Sequence, residues 1–258
     1  MSYGMWISAS GAMAQLARQD VASNNLANAS TTGFKADFLA IRARDAARQE
    51  DNLPWMDSNA MLERLGAGVM PEPNQIRLDE GPITETGDSL DVAVRGDGFL
   101  RVRSRDGEGF ALTRDGRLTV SPDGVLARAT DGRPVLDAGG REITLDRTLP
   151  VVIDASGRIS QGGGLVAKLA FDGVSDGNLL HKAGAGDLAL KRGVSERDAL
   201  RPAGGQIIQG AIESSAGNLF STLMSATGAA RAAQGALRMV GTFDEINGLA
   251  VTRLGRVS

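Results

Sequence analysis

Between residues 97 and 132 the dipeptide Asp-Gly occurs five times, at Asp97-Gly98, Asp106-Gly107, Asp115-Gly116, Asp123-Gly124 and Asp131-Gly132. Asp-Gly favours the left-handed turns that close hairpins. The segments between the pairs, Phe99–Arg103, Phe110–Thr113, Arg117–Val120 and Val125–Ala127, are short and alternate apolar with polar residues. A chain punctuated in this way reads as a β-meander. Further strands are predicted at Val135–Leu136, Ile143–Leu145, Leu149–Ile153 and Leu165–Phe171, which extends an all-β domain of Asp-Gly hairpins over residues 84–205. With 34 glycines and only 4% aromatic residues, tight turns and small-residue packing fit the chain better than an aromatic-lined pocket.

The two ends carry a different period. From residue 4 to about 28 the apolar residues Trp6, Ala9, Met13, Leu16, Ala17 and Val21 recur at helical spacing, with Gln15, Arg18, Gln19 and Asp20 mostly between them. From Leu219 the series Leu219, Leu223, Ala226, Ala230, Ala233, Leu237, Val240 alternates steps of four and three, the seam of a coiled coil. Gly228 and Gly235 lie within it. Interior glycine costs about 1 kcal/mol relative to alanine, so their presence predicts close helix approach. Ser221, Thr222, Ser225, Thr227, Arg231 and Gln234 interrupt any run of about 20 apolar residues, and no membrane span is expected.

Residues 36–83 read as a connector: Ala36 to Gln49 has the pattern of a further helix, and Pro54, Gly66, Gly68, Pro71 and Pro73 break any regular pattern beyond it. The fold class is therefore α+β. Terminal helices, residues 1–35 with their Asn-rich turn and residues 206–258, form a coiled-coil-like pair or bundle, and the connector leads to the central domain.

Several chemistries are excluded. The chain has no cysteine, which removes disulfides and thiolate chemistry. Its one histidine, His181, sits in the polar run Asn178–Gly184 and reads as a solvated loop residue rather than a base. A net charge of −3 without a dense basic block gives no footprint for nucleic acid. No phosphate-binding loop, metal-spaced cluster or nucleophile elbow is present, so no catalytic residue, cofactor or small-molecule substrate is assigned. Gly162-Gly163-Gly164 stands alone, and the nine-residue repeat of calcium-binding β-rolls does not recur. The N-terminus lacks the basic and apolar regions of a cleavable signal, which predicts a cytoplasmic protein or one exported by a dedicated machine. A ligand-binding or adhesive β-domain with dimerising helices is the competing reading; it requires a convergent polar pocket within residues 84–205.

The run Ser23-Asn24-Asn25-Leu26-Ala27-Asn28-Ala29-Ser30-Thr31-Thr32-Gly33-Phe34-Lys35 ends the first helix. Asn tolerates left-handed backbone, Ser and Thr bond neighbouring amides, and Gly33 permits positive φ. The run resembles the Asn-Asn-(Leu/Ile)-Ala-Asn-x-x-Thr-x-Gly-(Phe/Tyr)-Lys signature of bacterial flagellar rod and hook proteins, matched here by Asn24, Asn25, Leu26, Ala27, Asn28, Thr31, Gly33, Phe34 and Lys35. Leu90–Phe99 is similar to the segment that opens the middle domain of that family, Leu112–Gly116 to its Tyr-Thr-Arg-(Asp/Asn)-Gly strand, and Gln209–Ser215 to the stretch before its last helix. Ala216-Gly217-Asn218 departs from the family's Asn-Val-Asn, and Ala226–Ala236 from its Gln-Arg-x-(Tyr/Phe)-Glu helix.

The resemblance implies a non-enzymatic subunit of the flagellar basal-body rod, proximal or distal, acting in motility. It implies export through the flagellar type III apparatus and assembly with itself and other rod and hook proteins. Contact between subunits is expected through Trp6, Met13 and Leu16 of the first helix and Leu219, Leu223, Ala226, Ala230, Ala233, Leu237 and Val240 of the last.

Overall fold

A computed structural model describes residues 3–46, 66–184 and 186–254. The chain is α+β, with a helix near each end, α1 (Tyr3–Ala27) and α2 (Leu219–Leu254), and a β-rich region between them. It forms two compact units. One comprises Met1–Leu26, Asp37–Gln75 and Leu219–Ser258; the other comprises Ala27–Ala36 and Ile76–Asn218.

In the helical unit, Gly4 of α1 lies against the Phe243 ring of α2, where an added Cβ would come within 2.5 Å of the ring. The covered residues of α2 are mostly small up to Ala236. Ala229 and Ala233 are buried, and Thr222, Ala226, Ala230, Ala236, Val240, Phe243 and Asn247 are half-buried, mostly in steps of three and four. Gly228 and Gly235 were expected to mark close helix approach, but a Cβ added at either meets nothing within 4 Å. Alanines take that role within the chain, and Gly241 and Gly248 are equally open.

Residues 36–46 do not continue as a helix. Asp37–Phe38 and Ile41–Ala43 are strands, and the latter pairs antiparallel with Val69–Pro71. Cross-strand bonds extend the ladder at both ends, from Arg44 N–H to the Gly68 carbonyl and from Glu72 N–H to the Ala40 carbonyl, each at 2.9 Å. These non-local bonds outcompete the helical ones that the side-chain pattern alone permits. Ser10 Oγ, which donates to the Ile7 carbonyl, accepts the Val69 N–H at 3.3 Å and fastens the ladder to α1. Ala47–Gln49 and Pro54 fall outside the described residues. Among the described residues no helix is long and apolar enough to cross a membrane.

The β-rich unit holds a six-stranded antiparallel sheet in the order Leu180–Lys182, Asp187–Leu190, Phe110–Thr113, Phe99–Arg103, Phe171–Val174, Leu200–Pro202. A three-stranded sheet, Val151–Ile153, Arg158–Gln161 and Gly164–Lys168, and three two-stranded ladders complete it. Asp106-Gly107 lies in the turn between the paired strands Phe99–Arg103 and Phe110–Thr113, and Asp123-Gly124 between Leu118–Val120 and Leu126–Arg128. Two other Asp-Gly pairs do not close hairpins. Gly98 follows Val92–Arg95, which pairs with Gln206–Gln209 instead of the next strand, and Gly116 presses on the Val92 carbonyl.

The larger apolar core is built on Val92, Val94, Leu100, Val102, Leu126, Val135, Ile143, Ile159 and Leu169. A smaller one surrounds Phe99, Leu112, Val174, Leu180 and Leu188. His181 is exposed on the edge strand Leu180–Lys182 rather than in a loop. Residues 206–213, grouped with the last helix from sequence, form the strands Gln206–Gln209 and Ala211–Glu213, paired with Val92–Arg95 and Ile83–Glu85. Ile207 enters the larger core, which explains why this stretch is drawn into a ladder.

Candidate functional site: a buried ionic junction

The Asn-rich run divides between the units. In the helical unit Asn25 acts as a two-way bridge: its Nδ2 donates to the Asp37 carbonyl at 2.8 Å and its Oδ1 accepts the Asp37 N–H at 2.9 Å. The side-chain amide thus imitates a strand neighbour, which Gln is too long and Asp too poor in donors to do. Leu26 is half-buried, and Ala27, the last residue of α1, is exposed.

The remainder of the run is a polar turn in the β-rich unit. Thr31 N–H donates to the Asn28 carbonyl at 3.0 Å, and Phe34 N–H donates to the Thr31 carbonyl at 3.2 Å. Gly33 has φ +68°, as its position in the run predicts. It also lies against a second backbone, since an added Cβ would overlap the Arg114 carbonyl carbon. Phe34 is buried, and Lys182 Nζ stands 4.0 Å from the centre of its ring. Lys35 closes the turn and is 2% exposed.

Lys35 points into a junction centred on Glu213, which is fully buried. Glu213 Oε1 accepts from Lys35 Nζ and from Gly81 N–H, both at 2.8 Å, and Oε2 accepts from Arg114 Nη1 at 2.7 Å. Arg114 also donates to the carbonyls of Val94 at 3.1 Å and Gly96 at 2.6 Å. Its guanidinium stacks 4.8 Å from the centre of the Phe99 ring. The backbone follows the same convergence: Gly33 N–H donates to the Glu213 carbonyl at 2.8 Å and Ala216 N–H to the Phe34 carbonyl at 3.3 Å. Two cations share one carboxylate. Burial and the nearby Arg114 charge hold the Lys35 ammonium below the usual lysine range, against the opposing pull of Glu213.

A second ionic cluster adjoins it in sequence. Asp187, fully buried, accepts from Arg128 and Arg133, and Asp131 accepts from the same two arginines, at 2.5 Å from Arg128 and 2.7 Å from Arg133. Arg128 also donates to Thr113 Oγ1 at 3.2 Å, and Asp115 pairs with Arg117 at 2.9 Å. Partial burial opposes ionisation of Asp131, but hydrogen bonds from Arg128 and Arg133 prevail and hold its carboxyl well below the usual range. A depressed carboxyl stabilises the fold above its unfolded value near pH 4, and that contribution is lost as pH falls toward the lower folded value. Asp131→Asn is expected to flatten the acid limb of stability below about pH 4, measured by urea unfolding across pH; an unchanged limb would contradict the assignment.

These carboxylates are filled by donors within the chain. Each charged group of the two clusters is turned toward a partner within the chain, and the arrangement holds backbone segments in place. Glu213 and Arg114 are functional candidates that sequence reasoning left unassigned, although both lie inside stretches that carry the resemblance. A charged residue ending an apolar strand, as in Ala211-Ile212-Glu213, was the available signal.

The expected contact residues fall into two groups. Trp6, Met13, Leu16, Leu219, Leu223 and Leu237 are exposed, Met13 at 68% and Leu237 at 51%. Ala226, Ala230 and Val240 are half-buried and Ala233 is 2% exposed, covered within the chain itself.

Comparison with known proteins matches residues 5–35 to the family described as flagella basal body rod protein, and residues 93–161 to the flagellar hook protein FlgE/F/G D1 domain. Over its whole length the chain is 31% identical to the full length of the flagellar basal-body rod protein FlgF of Caulobacter vibrioides. It is 34% identical to FlgF of Salmonella typhimurium over 62% of this chain and 57% of that protein. With FlgG of Buchnera aphidicola it shares 35% identity over 51% of each chain. The Asn-rich turn lies within the first matched region and Arg114 within the second, so both cations on the Glu213 carboxylate fall where the likeness is recognised; with the full-length identity to a FlgF, the chain belongs to the flagellar basal-body rod proteins.

Proposed function

We infer that the chain is a structural subunit of the bacterial flagellar basal-body rod, joined to its neighbours through the terminal helices as part of the shaft that drives motility. The observation that carries this reading is the amount of large apolar side chain left open on two long helices. Phe220 at 78%, Met224 at 72% and Met13 at 68% stand beside Trp6, Leu16, Leu219, Leu223, Leu237, Ile246 and Leu249. Exposed apolar stripes of this extent mark a surface that another molecule covers. The open glycines of α2 support the same reading, because glycines at no packing advantage to the chain that bears them leave room for a neighbouring helix.

Contact repeated head-to-tail around an axis builds a ring where the rotation closes and an open helical filament or tube where it does not, and a rod needs the second. The small-residue face of α2 covers its own chain in coiled-coil fashion, while Trp6, Met13, Leu16, Leu219, Leu223 and Leu237 meet other subunits. In this reading residues 1–35 and 206–258 are the assembling ends, 36–83 the connector and 84–205 an outward-facing domain that uses Asp-Gly hairpins. The full-length likeness to a FlgF, against half-length likeness to FlgG, favours the FlgF type of rod subunit. Export through the flagellar type III apparatus brings it to the basal body. The family is structural, which leaves the ligand-binding reading without support.

Electron microscopy of basal bodies from cells carrying an epitope-tagged chain tests the assignment. Label on the rod is expected, and label confined to the cell body or the outer surface would remove it.

A further inference from the structure

Neither segment that borders a terminal helix is anchored by the apolar cores. No residue of 27–36 or 211–216 belongs to either apolar cluster of the β-rich unit. Backbone bonds hold them locally, Ala211–Glu213 against Ile83–Glu85 and Gly33 against Glu213, and the Glu213 carboxylate is the side chain that ties the two segments to the rest of the unit. It gathers Lys35, from the stretch that comes after α1, Gly81, and Arg114, from the family's Thr-Arg-Asp-Gly segment, and it belongs to the strand that precedes α2. The bonded residues are 178, 132 and 99 positions away in sequence, so one side chain closes three long loops at a single point.

We propose that Glu213 is a positioning residue for assembly: by binding Lys35, Gly81 and Arg114 together it fixes the register in which the segment leaving α1 and the segment leading into α2 emerge side by side. The proposal rests on the reading that the terminal helices carry the contacts between subunits. It differs from that reading in naming what fixes the two bordering segments rather than the surfaces that the helices present. A lattice of identical contacts requires the two segments to leave every subunit in the same register. An ionic clamp gives one geometry, because the two oxygens of the carboxylate are committed to donors on different segments and neither can slide without leaving a cation unpaired in a buried site. An apolar contact would tolerate such slippage.

The test uses the full chain and two variants, with amide hydrogen exchange under native conditions and a count of rods in cells. Glu213→Gln keeps the shape and removes the charge. Lys35→Met keeps the Glu213–Arg114 pair and the Gly81 N–H bond to Glu213 while removing the Lys35 bonds to Glu213 and to the Asp79 carbonyl, so it serves even where Glu213→Gln fails to fold. In Glu213→Gln the Gly33, Gly81 and Ala216 amides are expected to exchange at least tenfold faster, while the Leu126 and Val135 amides of the larger core keep their rates and rods are lost. In Lys35→Met the Gly33 amide is expected to accelerate while Gly81, still held by the Glu213–Arg114 pair, changes less. Core amides that accelerate as much as the three junction amides would make Glu213 an ordinary member of a cooperative unit and overturn the proposal. Junction amides that do not change, or loosened junctions with normal rods, would overturn it too. Normal rods in cells carrying a charge on the open face of α2 would instead refute the helix reading, with the exchange result unaffected.

Discussion

Cells whose only copy of the chain carries Leu237→Asp are expected to assemble no rods, while the purified variant melts within about 0.5 kcal/mol of the parent, as surface substitutions do. Leu237 is 51% exposed and buries little within its own chain. An aspartate there meets water in the free subunit and is trapped without a partner in the assembled one. Leaving one charge unpaired in a buried site costs about 3–5 kcal/mol per contact, and a polymer repeats the contact in every subunit. Leu223→Asp should behave in the same way. Ala233→Asp is the contrasting variant: it belongs to the same sequence stripe but is 2% exposed, so it should lower the melting temperature of the free chain directly. Rods of normal length in Leu237→Asp cells would count against assembly through this face.

The second large effect is expected at Gly33. Alanine at φ +68° is strained, and its Cβ would overlap the Arg114 carbonyl carbon and crowd the Asp115 amide. Because the obstruction is backbone, no rotamer change relieves it. Gly33→Ala should destabilise the β-rich unit by about 3–5 kcal/mol, which for a unit of this size lowers its melting temperature on the order of 10 °C. From sequence alone, a change at Gly33 would be expected to alter the exit from α1 and leave the folded centre intact. The crossing of residue 33 over residues 114–115 makes the two effects inseparable. Calorimetry of the purified variant decides the matter, and an unchanged transition would mean that the two backbones can move apart.

Local periodicity made the two terminal helices and the β-rich centre between them legible, but not the order in which the central strands pair. The Asn-rich run stops α1 at Ala27, close to where the apolar repeat ends, and two Asp-Gly pairs fall in hairpin turns. What the pattern could not show was phase. Between Ala226 and Ala236 alanine occupies both stripes of α2, so the sequence is compatible with a seam through Leu223 and Leu237 as well as with one through Ala229 and Ala233. Only the covering of Ala229 and Ala233 separates the inward face from the open one.

Ile41–Ala43 and residues 206–213 were misread for a different reason. Their strand character comes from partners about 30 and more than 100 residues away, which no local window contains. Glu213 was hidden in the same manner. A carboxylate at the end of a short strand looks solvated until Lys35 and Arg114, both distant in sequence, are brought against it.

Gly228, Gly235, Gly241 and Gly248 give α2 a weak intrinsic helix. At about 1 kcal/mol for each interior glycine, the four together withhold on the order of 4 kcal/mol that alanines would have supplied. A 36-residue helix so composed draws its order from what lies against it, since propensity contributes little once those positions are subtracted. Its last third, from Gly241 onward, carries Ile246, Leu249 and Val251 exposed, and among the described residues 241–252 only Phe243 and Asn247 are half-covered. The helix is therefore graded along its length, firm where alanines seat it and conditional beyond. A segment of that kind costs little to melt and re-form, and a covering surface adds more to its order than its own propensity does.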